Sequence, residues 1–284
     1  MLPFWASISV LSLVQGALVA LPGTIRVGAL GPLRGRRWAL IPPLSIIVFV
    51  FGARAAEHAS AQGLTYLALF AVPLLAALAL GWLMRGARPR WVALAPLLFV
   101  VAWAARGHLV GQAAALALTA LSCVSLGVLL AAVTPPRWLS AGIIAMAIAD
   151  TWLVVIELLQ RPNNALNAAR PAAGLPQLQS AAFGSAVMGY GDLFIAGVLG
   201  GLLALHFGRA TQMRAAVLAA ALALASDLLF FAVEELPATV PIALTLIAVL
   251  LTRRRRYAAL PAAARPAHPA RPGATGSPEA PLAR

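Results

Sequence analysis

The sequence predicts an all-α polytopic membrane protein, and three observations predict it. Of its 284 residues 62% are hydrophobic and only 10% charged, where a soluble domain carries roughly 25% charged residues. The apolar residues gather in runs near the length of about 20 that a helix needs to cross the hydrocarbon core. The basic residues, all arginine, fall in the short segments between those runs. That placement marks membrane topology, not a nucleic-acid groove. The net charge of +13 therefore implies no nucleic-acid partner; the expected surroundings are the lipid bilayer.

Nine runs qualify, near residues 3–21, 38–53, 64–84, 91–105, 112–133, 139–160, 184–206, 214–232 and 237–252. The first has no positively charged leader before it and reads as a true span, not a secretory signal. The second, fourth and ninth are short. The fifth holds the single cysteine, Cys123, which rules out a disulfide framework and a cysteine-based metal site. Spans six, seven and eight carry Asp150, Asp192 and Asp227. The connection between six and seven, residues 161–183, is rich in Pro and Asn and argues against a continuous helix. Residues 257–284 turn to Ala, Pro, Arg and Gly, cannot bury a core, and are expected to be a disordered tail. The chain thus reads as one transmembrane domain, 1–256, followed by that tail.

The arginines set the orientation. Those at 26–37, 85–90, 137 and 209–214, with those from 253 onward, lie on one side of the nine-span arrangement; Arg54, Arg106, Arg161 and Arg170 lie on the other. The positive-inside rule places the richer side, and with it the C-terminus, in the cytoplasm and the N-terminus outside. The expected location is the cell membrane.

All three aspartates of the chain lie in apolar spans. A charge at mid-bilayer costs about 2.5–3.5 kcal/mol on insertion scales, so such residues face the bundle interior or a water-filled cavity and mark function by default. Asp150 and Asp192 sit on sequence-adjacent antiparallel spans at depths that can coincide. Two carboxyls about 3 Å apart do not both ionise cheaply, so they share a proton. One then takes a proton from water while the other donates to a carbonyl oxygen, which is hydrolysis without metal or cofactor. Asp227 lies nearer the end of its span, before Glu234 and Glu235, and reads as a structural or tuning residue. Glu157, seven residues after Asp150, reads as an interfacial carboxylate on the same helix face. The four histidines, His58, His108, His206 and His268, lie in loops, at a span end and in the tail, and no His-Glu-x-x-His zinc motif is present.

Span six with Asp150, span seven with Gly189-Tyr190-Gly191-Asp192, and Leu236-Pro237-Ala238-Thr239 at the last span together resemble the presenilin/signal-peptide-peptidase family of intramembrane aspartyl proteases. That family carries a Tyr-Asp in helix six, Gly-x-Gly-Asp in helix seven and Pro-Ala-Leu in helix nine, within nine spans. The resemblance covers roughly residues 139–252. It departs from the family where Ala149 stands for the tyrosine and Thr239 for the leucine. It implies a presenilin-like fold, catalytic Asp150 and Asp192, and substrate contacts from Gly189, Tyr190, Gly191, Pro237, Ala238 and Thr239. It also implies transmembrane protein or peptide substrates, and the orientation suits those with cytoplasmic N-termini. The first five spans, about 1–133, are expected to be scaffold, and spans six to nine, about 139–252, catalytic. Gly197 and Gly201 suit close packing of span seven on a neighbour, while Gly189 and Gly191 loosen the backbone beside Asp192. Prepilin peptidases share Gly-x-Gly-Asp but usually have a lysine close after the aspartate, and this chain has no lysine. A proton or cation transporter with intramembrane aspartates is the non-enzymatic alternative.

Overall fold

A computed structural model describes residues 3–24, 28–55, 57–158, 160–169, 171, 174–231 and 237–259. Glu234, Glu235, Leu236 and the tail from 260 onward lie outside the described residues. Among the described residues ten α-helices and one hairpin follow in order, apart from short 3-10 and π turns: α1 (Phe4–Ala20), α2 (Ile41–Ala55), α3 (Glu57–Leu78), α4 (Leu94–Ala104), α5 (Leu109–Val133), α6 (Pro136–Val155), α7 (Gln160–Ala168), β1 (Ser180–Phe183), β2 (Ala186–Gly189), α8 (Tyr190–His206), α9 (Arg209–Asp227) and α10 (Val240–Ala259). Contacts divide the chain into two units, Met1–Val249 and Leu250–Arg284, the second described only as the end of α10.

The chain is mostly helical. Four stretches are long and apolar enough to cross a membrane: Ala61–Leu83, Leu109–Val133, Pro136–Val155 and Arg209–Phe231. Phe4–Ala20, Pro89–Ala104 and Tyr190–His206 are apolar but shorter. Each of the nine expected spans overlaps a helix, yet the described helices are both long and apolar enough to cross at these four places, fewer than the nine expected.

Helix α8 is the centre of the first unit. Its residues from Leu193 to Ala204 are buried without interruption, as expected of a helix apolar on every side. It packs along α5 on one face and against α1 on another. Glycine permits both approaches. A Cβ on Gly197 would run into the Cys123 backbone carbonyl, and one on Gly201 would stand 2.5 Å from the Gly127 carbonyl. On the other face a Cβ on Gly200 would meet the Leu18 carbonyl at 2.6 Å. The expected packing role of Gly197 and Gly201 is realised, with α5 as the neighbour.

The segment before α8 departs from the expected start of the seventh span. The connection at 161–183, expected not to be one continuous helix, holds the short α7 and then β1; Pro162 sits in the first turn of α7, where its missing N–H costs nothing. The seventh span was expected from residue 184, but Ala186–Gly189 is a strand and the helix begins at Tyr190. β1 and β2 pair antiparallel, Ser180 with Gly189 through Phe183 with Ala186. Gly184, at φ 61°, takes the first turn position, the requirement of a two-residue hairpin turn of the II′ type. The turn is held from both sides. The Gly184 amide donates to Gln112 Oε1 of α5 at 2.7 Å, and the Ser185 amide donates to Ser7 Oγ of α1 at 3.2 Å.

Candidate active site

Strand β2 delivers the chain directly into α8, so Gly189 is the N-cap and Asp192 lies in the first turn. Asp192 is thus at the mouth of its helix. This is the geometry in which the side chain of the third helical residue reaches back to the backbone of the cap. The Asp192 carboxyl lies over Gly189, where a Cβ would stand 3.1 Å from Oδ2. Gly189 therefore leaves room for the acid itself. Gly191 is under no such pressure: its Cβ would meet Met146 Cε at 3.5 Å, an ordinary contact.

Asp150 lies on α6, about one and a half turns before that helix ends, and is buried. Asp150 and Asp192 both line one cavity, near enough for their charges to interact. The cavity measures about 850 Å³. Its wall includes Met146 and Asp150 of α6, Val187, Met188 and Gly189 of β2, Tyr190, Gly191 and Asp192 of α8, and Pro237 and Ala238 before α10. Asn163, Asn164 and Asn167 of α7 line another part of it. An apolar chamber with a few converging polar groups is the usual form of a binding site.

Asp227 opens on the same cavity. Ser12 Oγ of α1 donates to it, at 2.8 Å to Oδ2 and 3.1 Å to Oδ1. Of the other two aspartates, Asp150 is the one whose charge acts on Asp192, while Asp227 is engaged by Ser12. Glu157 is not on the face of Asp150: α6 ends at Val155, and Glu157 is exposed in the following turn at φ 55°.

The residues expected to contact substrate divide. Gly189, Tyr190, Gly191, Pro237 and Ala238 line the cavity. The Tyr190 hydroxyl, however, lies 2.8 Å from Ser122 Oγ of α5 and is engaged there. Thr239 is buried away from the lining, and its Oγ1 donates to Asp150 Oδ2 at 2.7 Å. Among the described residues no three of His, Cys, Asp and Glu gather as a metal site.

The sequence reading assigned α1 to scaffold and missed its part in the site. Gln15, 1% exposed, donates through Nε2 to the Ala238 carbonyl at 3.0 Å and to the Asp192 carbonyl at 3.3 Å. One side chain thus ties the Gly-Tyr-Gly-Asp segment to the Pro-Ala segment. The available signal was Ser12 and Gln15, two polar residues three apart in an apolar helix and so on one face. Gln15→Leu leaves both carbonyls short of this donor. It is expected to cost about 1–3 kcal/mol, read as a lower thermal unfolding midpoint of the purified protein. An unchanged midpoint would show that the tie contributes nothing. No family model, curated protein or solved structure matches the chain.

Proposed function

We propose that the protein is an intramembrane aspartyl protease of the presenilin/signal-peptide-peptidase type, cleaving peptide bonds of transmembrane or signal-peptide segments. The observation that carries the reading is the meeting of Asp150 and Asp192 in one cavity beside Gly189 and Ala238. In this reading the chain crosses the membrane nine times with its N-terminus outside and its C-terminus in the cytoplasm.

The chemistry follows from a carboxyl pair holding one proton. The ionised carboxylate takes a proton from water as the water oxygen bonds to the scissile carbonyl carbon. The protonated partner gives its proton to the carbonyl oxygen, forming a neutral gem-diol. The diol then returns a proton to one carboxyl, the C–N bond breaks, and the leaving nitrogen takes a proton from the other. A carboxylic acid and an amine result, and the pair again holds one proton.

A helical substrate hides its peptide bonds, so a short stretch must be extended before attack. β2 supports that step, because its residues Val187, Met188 and Gly189 line the cavity and run straight into Asp192. A two-stranded hairpin leaves outer edges, and an extended peptide gains main-chain hydrogen bonds by adding to one.

The test is cleavage of a labelled transmembrane peptide by the purified protein, with products identified by mass spectrometry. The expected result is a cut within the apolar segment and a bell-shaped pH profile whose two apparent pKa values belong to the pair. A profile with one limb would mean that a single carboxyl acts alone. Three aspartates on one cavity wall also favour a rival reading, proton or cation transport, and flux measurements separate the two.

A further inference from the structure

Thr239 stands beside the paired carboxyls, and the hydrolytic scheme above gives it no part. It closes the turn from Pro237 that leads into α10, its carbonyl accepting from the Ala243 amide at 3.1 Å as that helix starts. Its hydroxyl crosses to α6 and donates to Asp150 Oδ2 at 2.7 Å. Both residues are buried, Thr239 at 1% exposure and Asp150 at 5%. The neighbours of Asp150 on α6 do not supply such a donor. Ala149 has none to give, and the Thr151 hydroxyl donates to the Ala147 carbonyl at 2.8 Å.

The terminal torsion of an aspartate is broad and roughly two-fold, so a carboxyl without fixed partners presents either oxygen to its surroundings. A donor held in the turn before α10 removes that freedom. We infer that Thr239 is a positioning residue of the aspartate pair, its hydroxyl engaging Oδ2 of Asp150 so that the other oxygen is left for the proton shared with Asp192. The inference rests on the aspartyl-protease reading of this cavity. It gives a reason for a hydroxyl at the third residue of the Pro-Ala-Thr segment. A leucine there has no donor.

A purely structural tie between α6 and the start of α10 would make the same hydrogen bond, so the test must separate holding from positioning. Thr239→Val keeps the branched shape and removes the hydroxyl; Thr239→Ser keeps the hydroxyl and removes a methyl. Wild type and both variants are compared for cleavage of a labelled transmembrane peptide across pH. In the same samples the infrared carboxyl band of Asp150 is followed, identified by its loss in Asp150→Asn.

For Thr239→Val the expected result is a fall in kcat of about tenfold to a hundredfold, the range of one hydrogen bond to a charged group. KM is expected to stay nearly unchanged, the pH profile to be displaced, and the Asp150 band to move. Thr239→Ser is expected to remain within about threefold of wild type, since its hydroxyl still donates. If Thr239→Val does not accumulate, Thr239→Ala carries the same comparison. The inference is overturned if Thr239→Val cleaves at the wild-type rate with the same pH profile and an unmoved band. It is also overturned if the Val and Ser variants lose activity equally along with their thermal midpoints, which is the mark of packing alone. Should wild type cleave nothing while the band moves in Thr239→Val alone, the protease reading fails and the hold on Asp150 stands. Should wild type cleave nothing and the band stay fixed, both fail.

Discussion

Asp150→Asn and Asp192→Asn are each expected to reduce cleavage of a transmembrane peptide by about a thousandfold or more, the scale of lost general acid–base catalysis by groups acting as a unit. Asparagine keeps the size of the side chain and cannot take or give the proton, so the loss reports chemistry and not packing. The double variant is expected to be no slower than either single one, because a pair that shares one proton fails as a whole when either member is replaced. Rates that multiply in the double variant would mean two carboxyls acting independently. Both residues face the same cavity with interacting charges, and that arrangement is why the unit behaviour is expected. The measurement is the initial rate at the pH optimum of wild type, with thermal midpoints recorded beside it to show that each variant is folded.

Gly197→Leu is expected to produce a large loss of stability. At Gly197 the backbone of α8 lies against the Cys123 carbonyl of α5, one turn before Gly201 lies against Gly127. Overfilling a packed contact usually costs 1–3 kcal/mol, and here backbone stands on both sides, so about 3 kcal/mol is expected. Pushing α8 away from α5 also moves Asp192, which that helix carries in its first turn. The variant should therefore give little folded protein, and what folds should have a clearly lower thermal midpoint. Gly191→Ala is the control, because its added methyl meets Met146 at an ordinary contact distance, and it should unfold as wild type does. Equal midpoints for Gly197→Leu and wild type would show that the α5–α8 contact is looser than described.

Much of this was legible in the sequence for a simple reason. Apolar helices announce themselves by composition, and a carboxyl within one costs so much that each of the three aspartates pointed to the interior. The two acids expected to pair, Asp150 and Asp192, do face one cavity, and Gly197 and Gly201 do meet a neighbour. The start of α8 was not legible. Ser180 to Gly189 is small and mildly apolar, so hydropathy runs on smoothly into Tyr190, and the hairpin is marked only by Gly184-Ser185 in its turn. The part played by α1 was hidden differently. Gln15 and Ser12 act on residues some two hundred positions away in sequence, and no local pattern reports which distant carbonyl or carboxyl an amide or hydroxyl will reach. Thr239 shows the same limit, since its value as a donor appears only once the turn before α10 meets Asp150 of α6.

The central claim is that the Asp150–Asp192 cavity hydrolyses peptide bonds. Its most direct test places wild type and Asp192→Asn in sealed lipid vesicles with a labelled transmembrane peptide, and follows peptide cleavage and proton or cation flux in the same samples. The account predicts cleavage within the apolar segment by wild type, none by Asp192→Asn, and no flux that distinguishes them. Intact peptide with wild type, together with a flux that disappears in Asp192→Asn, would contradict it.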